Sequence, residues 1–276
     1  MAKATKCNPI NVSANLELEN KRVLVTGSTS GIGEGIARRF AQEGAAVIIH
    51  GRRSEAAERV AAEIRRDGGK AIIALGDLSQ GEEVARIVEI AQAELGGVDV
   101  LVNNAARAEH QNDMETAPSG WLDSYNTNLL SMVRLVQHLL PPMREQGWGR
   151  IIGISSGAAV KPSPGMGVYA TTKAAMNALT VSLAQGMKND GVTINTVSPG
   201  AIITEKQIEM GKLHGMGNTR EEIEAALNGM MESTPFGRMG RVEEVAAVVV
   251  FLASPLASYI HGANIRVDGG YVPTVN

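Results

Sequence analysis

The feature that most constrains the fold of this chain is a regular alternation of short apolar runs with amphipathic stretches. Seven runs have the length and composition of buried strands: Arg22–Val25, Ala46–Ile49, Ala71–Leu75, Val98–Val102, Arg150–Ile154, Val192–Val197 and Ala263–Val267. Strands that are buried on both faces are continuously apolar, which is typical of parallel sheets covered by helices. The alternation therefore predicts an α/β fold with a doubly wound, seven-stranded parallel sheet.

The stretches between these runs have helical periodicity. One of them places apolar residues three and four positions apart in a single stripe, namely Val84, Ile87, Val88, Ala91 and Leu95. No internal repeat, low-complexity segment or linker divides the chain. We therefore expect one domain over 21–276, preceded by a loosely held extension over 1–20. Residues 205–241 are expected to form an insertion after the sixth strand that covers the substrate as a lid.

The composition narrows the class of partner. The 276 residues carry a formal net charge of -3, and Lys and Arg are scattered, so there is no general attraction to nucleic acid or anionic membrane. The longest apolar run, Val245–Ala253, is too short to span a bilayer. We expect a small-molecule partner, and neither nucleic acid nor a membrane.

Cysteine usage and the first residues bear on location. The single cysteine, Cys7, cannot form an intrachain disulfide and lies outside any Cys/His cluster with metal-ligand spacing. This pattern fits a reducing compartment and predicts no metal site. The first eighteen residues include charged side chains and Pro9 but no apolar core, unlike a secretory signal. The expected location is the cytoplasm.

A glycine-rich turn, Thr26-Gly27-Ser28-Thr29-Ser30-Gly31-Ile32-Gly33, follows the first predicted strand and opens a predicted helix. In that context the glycines let the backbone approach a pyrophosphate, and the free N–H groups of the helix point at the anion. The alternative is a tight strand-to-helix turn with no ligand. The turn therefore raises the hypothesis of a dinucleotide site.

Tyr169 and Lys173 lie four residues apart in a stretch, 167–188, that is predicted to be helical, so both face the same side. At a separation of about 5 Å and an effective dielectric constant of about 20, the ammonium would stabilise the phenolate by about 3 kcal/mol. That corresponds to a fall of about two units in the phenol pKa, which would suit general acid or base catalysis. The alternative is a buried ring beside a solvated lysine.

Several motifs occur in order and at the intervals of the short-chain dehydrogenase/reductase family. They are the glycine turn above, Asn103-Asn104-Ala105, Ser156, Tyr169 with Lys173, and Pro199-Gly200. From about residue 21 to 272 the chain resembles this family and is similar to its 3-oxoacyl carrier-protein reductases. The resemblance implies a Rossmann-type sheet and oxidoreduction of a ketone/secondary alcohol pair with a nicotinamide cofactor. It also implies a homo-oligomer, expected to be a tetramer.

The resemblance assigns four catalytic residues. Tyr169 would donate the proton to the ketone oxygen, and Ser156 would hold that oxygen. Ser155 is rejected because the family interval between serine and tyrosine is thirteen residues. Lys173 would bind the nicotinamide ribose and lower the pKa of Tyr169, while Asn128 would hold a water in the proton relay. Without the resemblance, Asn128 is a polar residue within a helix.

The cofactor-binding residues that the resemblance implies lie in loops after the strands. They are Gly27, Ser30, Gly31, Ile32, Gly33, Arg52, Arg53, Asp77, Leu78, Asn104, Ala105, Tyr169, Lys173, Pro199, Gly200, Ile202 and Thr204. Asp77 matches the adenine contact, Asn104 the position beside the adenine ribose, and Ile202 and Thr204 the residues that hold the nicotinamide amide. The chain departs from the family at Ala106, where glycine is usual, which puts the fine position of the cofactor in doubt.

The end of the second strand favours NADP(H) over NAD(H). Arg52 and Arg53 stand where an acidic residue would hold a free ribose hydroxyl, and arginine makes charge-assisted bonds to a 2'-phosphate. The alternative is a solvated pair beside a helix whose expected N-cap is Ser54; cations are unfavourable there, which favours a ligand. Against NADP(H), Ser30 stands where many NADP-binding relatives have a basic residue.

The expected lid combines glycines with five methionines, Met210, Met216, Met230, Met231 and Met239, which favours an apolar ketone as substrate. The alternative is that these methionines pack the lid onto the domain. A second class of function is a non-catalytic, cofactor-binding regulator, which would need the glycine turn without the four catalytic residues. A carrier-protein interaction module would need a basic patch, and the sequence does not show one.

Overall fold

The computed structural model describes residues 15–108 and 112–274. Seven strands form one parallel sheet, namely β1 (Arg22–Val25), β2 (Ala46–Gly51), β3 (Lys70–Leu75), β4 (Val100–Asn103), β5 (Gly149–Ile154), β6 (Val192–Pro199) and β9 (Asn264–Val267). Their order in the sheet is β3-β2-β1-β4-β5-β6-β9. Each predicted strand is present with its ends within two residues of the expected bounds. The predicted α/β fold is therefore confirmed.

Helices cover both faces of the sheet. They are α1 (Gly31–Gln42), α2 (Ser54–Arg66), α3 (Gly81–Leu95), α4 (Pro118–Tyr125), α5 (Ser131–Glu145), α6 (Gly167–Gly186), α7 (Glu205–Leu213), α8 (Arg220–Gly229) and α9 (Val242–Ala253). Helices α1, α2 and α9 contribute to one apolar core, and α3, α5 and α6 to the other. A π-helical turn, Asn126–Leu130, separates α4 from α5.

The strands alternate between the two cores, as their pleat requires. Val23 and Val25 of β1 belong to the core with α1, whereas Leu24 belongs to the core with α3. The register pairs Leu24 with Ile48 and with Leu101, so residues of the same face lie side by side. Because all seven strands are parallel, their carboxyl ends share one edge, where the loops that carry the sequence motifs converge.

The segment before β1 is attached more firmly than expected. Leu18 is buried against the first core, and Leu16 packs beside it. The N–H of Asn20 donates to the carbonyl of Gly44 at 2.9 Å. Residues 16–20 therefore pack on the domain, because two leucines that alternate with charged residues supply an apolar face. Residues 1–14 of the expected extension, including Cys7, lie outside the described part.

The expected insertion forms a small unit of its own after β6. Two short strands, β7 (Ile202–Ile203) and β8 (Gly240–Arg241), pair in parallel and enclose α7 and α8. Its separate apolar cluster contains Ile223, Leu227, Met231 and Met239, with Met216 packed against it. Met210 and Met230 are exposed. Three of the five methionines thus pack in the lid's own cluster, so for these three the role is packing, within the lid more than between the lid and the domain.

Candidate active site

A cleft of about 1260 Å³ lies at the carboxyl edge of the sheet. All but three of the predicted site residues line it: Gly27, Ser30, Ile32, Gly33, Arg52, Arg53, Asp77, Leu78, Asn104, Ala105, Ser156, Tyr169, Lys173, Pro199, Gly200 and Thr204. The three that do not are Gly31, Asn128 and Ile202. Motifs up to about 170 residues apart in sequence therefore share one cavity, which is large enough for a dinucleotide.

Glycines let the turn after β1 pack directly on the end of β4. Gly27 has a φ of +64°, and a Cβ there would lie 2.9 Å from Cα of Ala105. A Cβ on Gly33 would lie 2.4 Å from the carbonyl oxygen of Gly27 and from Nδ2 of Asn104. These two positions exclude any side chain. The close packing holds the turn in a narrow path along the cleft.

Polar side chains tie the same two loops together. The Thr26 hydroxyl accepts the N–H groups of Asn104 at 2.9 Å and Ala105 at 3.0 Å. The Asn104 amide donates to the carbonyls of Thr26 at 2.9 Å and Gly27 at 3.2 Å. Asn104 therefore holds the glycine turn, a role that the resemblance did not assign to it. Thr26 and Asn104 together fix the two loops relative to each other.

The N-terminus of α1 opens onto the cleft in a form that fits a phosphate group. Ser30 occupies the N-cap position but its side chain makes no capping hydrogen bond. Gly31, with a φ of +58°, has only Thr204 near the position of a Cβ, at 3.7 Å. Gly31 itself lines a smaller adjoining groove. First-turn N–H groups without a side-chain cap are the donors that an anion binds at a helix N-terminus.

One end of the cleft, formed by β5 and α6, carries the predicted catalytic residues Ser156, Tyr169 and Lys173. Ser156 follows β5, and its hydroxyl accepts the N–H of Ala158 at 3.1 Å while contacting the phenol of Tyr169. Ser155 lies deeper, and its hydroxyl donates to the carbonyl of Lys173 at 3.3 Å. The helix α6 spans 167–186, close to the predicted 167–188, so Tyr169 and Lys173 share a face as expected.

Lys173 is buried, with 1% of its surface exposed, and its Nζ donates to the carbonyl of Ile154 at 2.7 Å. Nζ lies 5.6 Å from the centre of the Tyr169 ring. Burial lowers the pKa of Lys173 to about 7. The lysine is therefore only partly charged at neutral pH, which reduces its effect on its neighbour.

The expected fall in the pKa of Tyr169 is corrected by the structure. Burial raises the pKa of the phenol, and the hydrogen bond with Ser156 opposes this only in part. The sequence estimate assumed a fully charged lysine in a solvated setting, and both groups are instead desolvated. In this state Tyr169 is a protonated phenol at neutral pH.

Asn128 lies beneath the cleft and does not line it. It is fully buried in the π-helical turn. Its Oδ1 accepts the N–H of Arg107 at 2.7 Å, and its Nδ2 donates to the carbonyl of Arg107 at 2.9 Å. It also donates to the hydroxyl of Thr172 at 3.1 Å. Asn128 thus joins the loop after β4 to α6 at Thr172, the residue before Lys173. A single π-turn of this kind often marks a functional site.

The opposite end of the cleft carries charged side chains after β2 and β3. Asp77 accepts the N–H of Ser79 at 2.9 Å, and this bond, with the nearby charge of Arg52, lowers its pKa. Arg52 and Arg53 are exposed along the cleft. Helix α2 begins at Ser54 with Arg53 at the N-cap, so the expected N-cap at Ser54 is wrong by one residue.

Two further sequence expectations concern single residues. Ile202 is buried in β7 and lies outside the cleft lining, because the lid strand turns it toward the core. Ala106 lines the cleft with a φ outside the positive region, so its Cβ causes no backbone strain. The substitution of alanine for glycine is therefore compatible with this backbone.

Sequence reasoning missed several residues of the cleft. Lys206 lines it from the first turn of α7, and His50 lines it from the end of β2. Outside the cleft lining, Asp113 accepts the N–H groups of Gly165 at 3.2 Å and Gly167 at 2.9 Å, which fixes the start of α6. Of these residues only His50 has a signal in the sequence, because a polar residue inside a buried strand needs a hydrogen-bond partner.

Neither a metal centre nor a membrane-spanning helix occurs in the part of the chain that the structure describes. No cluster of three or more His, Cys, Asp or Glu side chains among these residues has the geometry to hold an ion. Within 15–108 and 112–274, every helix is too short or too polar to cross a bilayer.

Comparison with known proteins gives matches over nearly the whole chain. A family model described as Enoyl-(Acyl carrier protein) reductase matches residues 27–272. The 3-oxoacyl-(acyl-carrier-protein) reductase of Pseudomonas aeruginosa is 35% identical over 255 residues, covering 92% of this chain and 98% of the relative. The 7alpha-hydroxysteroid dehydrogenase of Escherichia coli is 34% identical over 264 residues, covering 96% and 99%.

Solved structures agree with these relatives. The L-sorbose reductase of Gluconobacter frateurii, complexed with NADPH and L-sorbose, superposes with a TM-score of 0.89 at 32% identity, covering 95% of this chain and 100% of that one. A 7alpha-hydroxysteroid dehydrogenase complexed with NADH and 7-oxo glycochenodeoxycholic acid gives 0.82 at 33% identity, covering 95% and 98%. The two neighbours contain different cofactors.

Burial of Lys173 predicts a specific pH dependence of stability. Its pKa is about 7 in the fold against an ordinary value of 10.5, so between these values the unfolded chain binds more protons and stability rises with pH. We expect the wild type to gain about 2 kcal/mol relative to Lys173→Met between pH 7 and 9, measured by urea unfolding. Exposed Lys188→Met is the control and should follow the wild type. Parallel curves for wild type and Lys173→Met would contradict this.

Proposed function

The chain belongs to the short-chain dehydrogenase/reductase family, and we propose that it transfers hydride between NADP(H) and a ketone or secondary alcohol. The observation that carries this proposal is the contact of Ser156 with Tyr169 beside the buried Lys173, in the same cleft as the glycine turn. When bound, the reduced nicotinamide supplies the hydride.

Each catalytic residue has a role that its surroundings support. Tyr169 is kept protonated by burial, so it is available to donate its proton to the oxygen of a ketone. Ser156 donates a hydrogen bond to the same oxygen as negative charge develops there. Lys173, with a pKa of about 7, holds the nicotinamide ribose and exchanges protons near neutral pH. Asn128 supports this face of α6 through Thr172, where we place the proton relay.

The assignment of Tyr169 as the acid is tested by Tyr169→Phe. The ring and its packing stay, but the proton is lost, so ketone reduction should fall by about 10²- to 10⁴-fold. Cofactor affinity and thermal stability should change little. The assay follows absorbance at 340 nm with a panel of ketones, and the fully exposed Tyr259→Phe is the matched control. Near wild-type turnover of Tyr169→Phe on a verified substrate would remove the catalytic role.

We propose that NADP(H) is held by the residues in the loops after the strands that the family resemblance assigned to the cofactor. They are Gly27, Ser30, Gly31, Ile32, Gly33, Asp77, Leu78, Asn104, Ala105, Pro199, Gly200, Ile202 and Thr204. Preference for the phosphorylated form is assigned to Arg52 and Arg53, which line the cleft beside Asp77. The charge of Arg52 helps to lower the pKa of Asp77, so the two side chains lie at the same end of the cleft, after β2 and β3. A guanidinium there suits a 2'-phosphate.

Arg52→Asp should reverse this preference. Loss of a charge-assisted bond and addition of a like charge should raise the Kd for NADPH by about tenfold or more, while NADH binding changes little. Titration calorimetry measures both constants. The control is Arg66→Asp at the exposed far end of α2, which adds the same charge away from the cleft. An unchanged NADPH/NADH ratio would exclude Arg52 from cofactor selection.

The substrate has two candidates. The exposed Met210 and Met230 of the lid support an apolar ketone. A hydrophilic ketone is supported by the lining of the cleft, where Arg107 and Lys206 accompany Ser156 and Tyr169 and where none of the five lid methionines is found among the described lining residues. L-sorbose, the ligand named for one structural neighbour, is of the second kind. The ketone panel therefore includes steroid ketones and ketoses. The ratio of kcat/KM between the two groups decides between an apolar and a hydrophilic substrate.

A cofactor-binding regulator is the alternative function. Such a protein needs the glycine turn but not Ser156, Tyr169, Lys173 and Asn128 together, and the convergence of these four favours turnover. Binding of NADPH without activity on any ketone or alcohol would favour the regulator. The cytoplasm is the proposed location, supported by the single cysteine, and cell fractionation tests it.

A homotetramer is proposed because apolar side chains remain exposed on two parts of the domain. Leu122 lies on α4 and Leu130 in the π-helical turn, while Phe251 lies on α9 and Leu256 and Tyr259 between α9 and β9. The small side chains Ala174, Ala178 and Ser182 form an exposed stripe on α6 that allows close helix contact. Light scattering at micromolar concentration should give four times 29.1 kDa, and a stable monomer would reject the tetramer.

A further inference from the structure

His50 connects two loops that lie on either side of β2. It is the penultimate residue of β2 and is buried, with 3% of its surface exposed. The N–H of Gly27, in the glycine turn, donates to its Nδ1 at 3.1 Å. Its Nε2 lies 3.2 Å from the carbonyl oxygen of Gly76, in the loop after β3. The ring thus spans from the loop after β1 to the loop after β3.

These partners define the state of the ring. Gly27 N–H is a donor, so Nδ1 must be unprotonated, and the Gly76 carbonyl is an acceptor, so Nε2 must carry the proton. Only the neutral Nε2–H form satisfies both bonds. Burial lowers the pKa of His50 to about 4, despite the carboxylate of Asp77 and the carbonyl of Gly76, which both act to raise it. The charge of Arg52 also acts on Asp77 and helps to lower the pKa of that carboxyl.

The backbone around His50 makes the connection rigid. The N–H of His50 donates to the Ser28 hydroxyl at 2.9 Å, and the N–H of Ser28 donates back to the carbonyl of His50 at 2.9 Å. The N–H of Gly76 donates to the carbonyl of Gly51 at 3.1 Å. Strands β1 and β3 are not neighbours in the sheet, because β2 lies between them. The imidazole therefore links the two loops directly across the intervening strand.

We propose that His50 is a positioning residue for the adenosine half of the cofactor, because it sets the distance between the glycine turn and the loop that carries Asp77. The inference rests on the proposed cofactor function. His50 uses the N–H of Gly27, so that donor is withdrawn from the ligand, and the uncapped first turn of α1 is left to face the pyrophosphate. His50 acts through Gly27 and Gly76, and it takes no part in hydride or proton transfer.

The chain provides a control with the same hydrogen-bond pattern elsewhere. His261 accepts the N–H of Ile194 at its Nδ1 at 3.3 Å, and its Nε2 lies 2.9 Å from the carbonyl oxygen of Ala184. It joins β6 to the end of α6, away from the residues that line the cleft. Because His261 is more exposed than His50, it controls for loss of a bridging imidazole and not for burial.

The test uses titration calorimetry with NADPH, NADH and ADP, which carries the adenosine and diphosphate that both cofactors share, together with thermal unfolding in the absence of ligand. The variants are His50→Phe, which keeps a ring without hydrogen bonds, and His50→Asn, whose amide oxygen can replace Nδ1 but cannot reach Gly76. His261→Phe is the control.

The expected order of Kd for ADP and for the preferred cofactor is wild type, then His50→Asn, then His50→Phe, with His50→Phe weakened at least about tenfold. His261→Phe should lower the unfolding temperature and leave each Kd within about twofold of wild type. Unchanged affinity in a folded His50→Phe would overturn the proposal, as would equal weakening by His261→Phe. If His50→Phe does not fold, His50→Asn decides, and wild-type affinity in that variant overturns the proposal.

The wild-type titration separates this inference from the function on which it rests. Wild-type binding of NADPH or NADH with unchanged binding by the His50 variants rejects the role of His50 alone. A wild type that binds none of the three ligands rejects the nicotinamide function, and the role of His50 with it.

Discussion

The close contact between the turn after β1 and the end of β4 is the constraint on which the whole site depends. Gly27 and Gly33 leave no room for side chains, and Thr26 and Asn104 hold the two loops together by four hydrogen bonds. Parallel strands bring these loops to one edge, but the contact determines where the N-terminus of α1 points. That contact determines the shape of the cleft, because Ala105 lines the cleft and also packs against Gly27.

At the end of the cleft formed by β5 and α6, the protein buries a lysine whose charged form is more stable in water. Lys173 donates to the carbonyl of Ile154, and its burial lowers its pKa to about 7. A buried cation with few partners is destabilising, so this position lowers the stability of the fold while the lysine is charged. The same desolvation keeps Tyr169 protonated. The two effects together produce an acid beside a group that exchanges protons near neutral pH.

Apolar patterns and motif intervals were enough to predict the sheet, its seven strands and the set of loops that meet at the cleft. They were less informative wherever tertiary contacts decide. The pKa of Tyr169 depends on a burial that no spacing reveals, and the partners of Asn128 depend on a π-helical turn with no clear sequence pattern. The sequence predicts a loose extension at Leu18 because the apolar core that buries this side chain is formed only in the fold. The role of His50 is not predictable from the sequence because its partners are backbone groups of distant loops.

The measurement that tests the account most directly follows an isotope. Purified enzyme is supplied with NADPH that carries deuterium at one face of nicotinamide C4 and with a ketone that it reduces, and the product alcohol is examined by mass spectrometry and NMR. The account predicts one deuterium on the carbinol carbon from one of the two labelled faces and none from the other. Product without deuterium from either face, or with hydrogen drawn from solvent at that carbon, would contradict hydride transfer in this cleft.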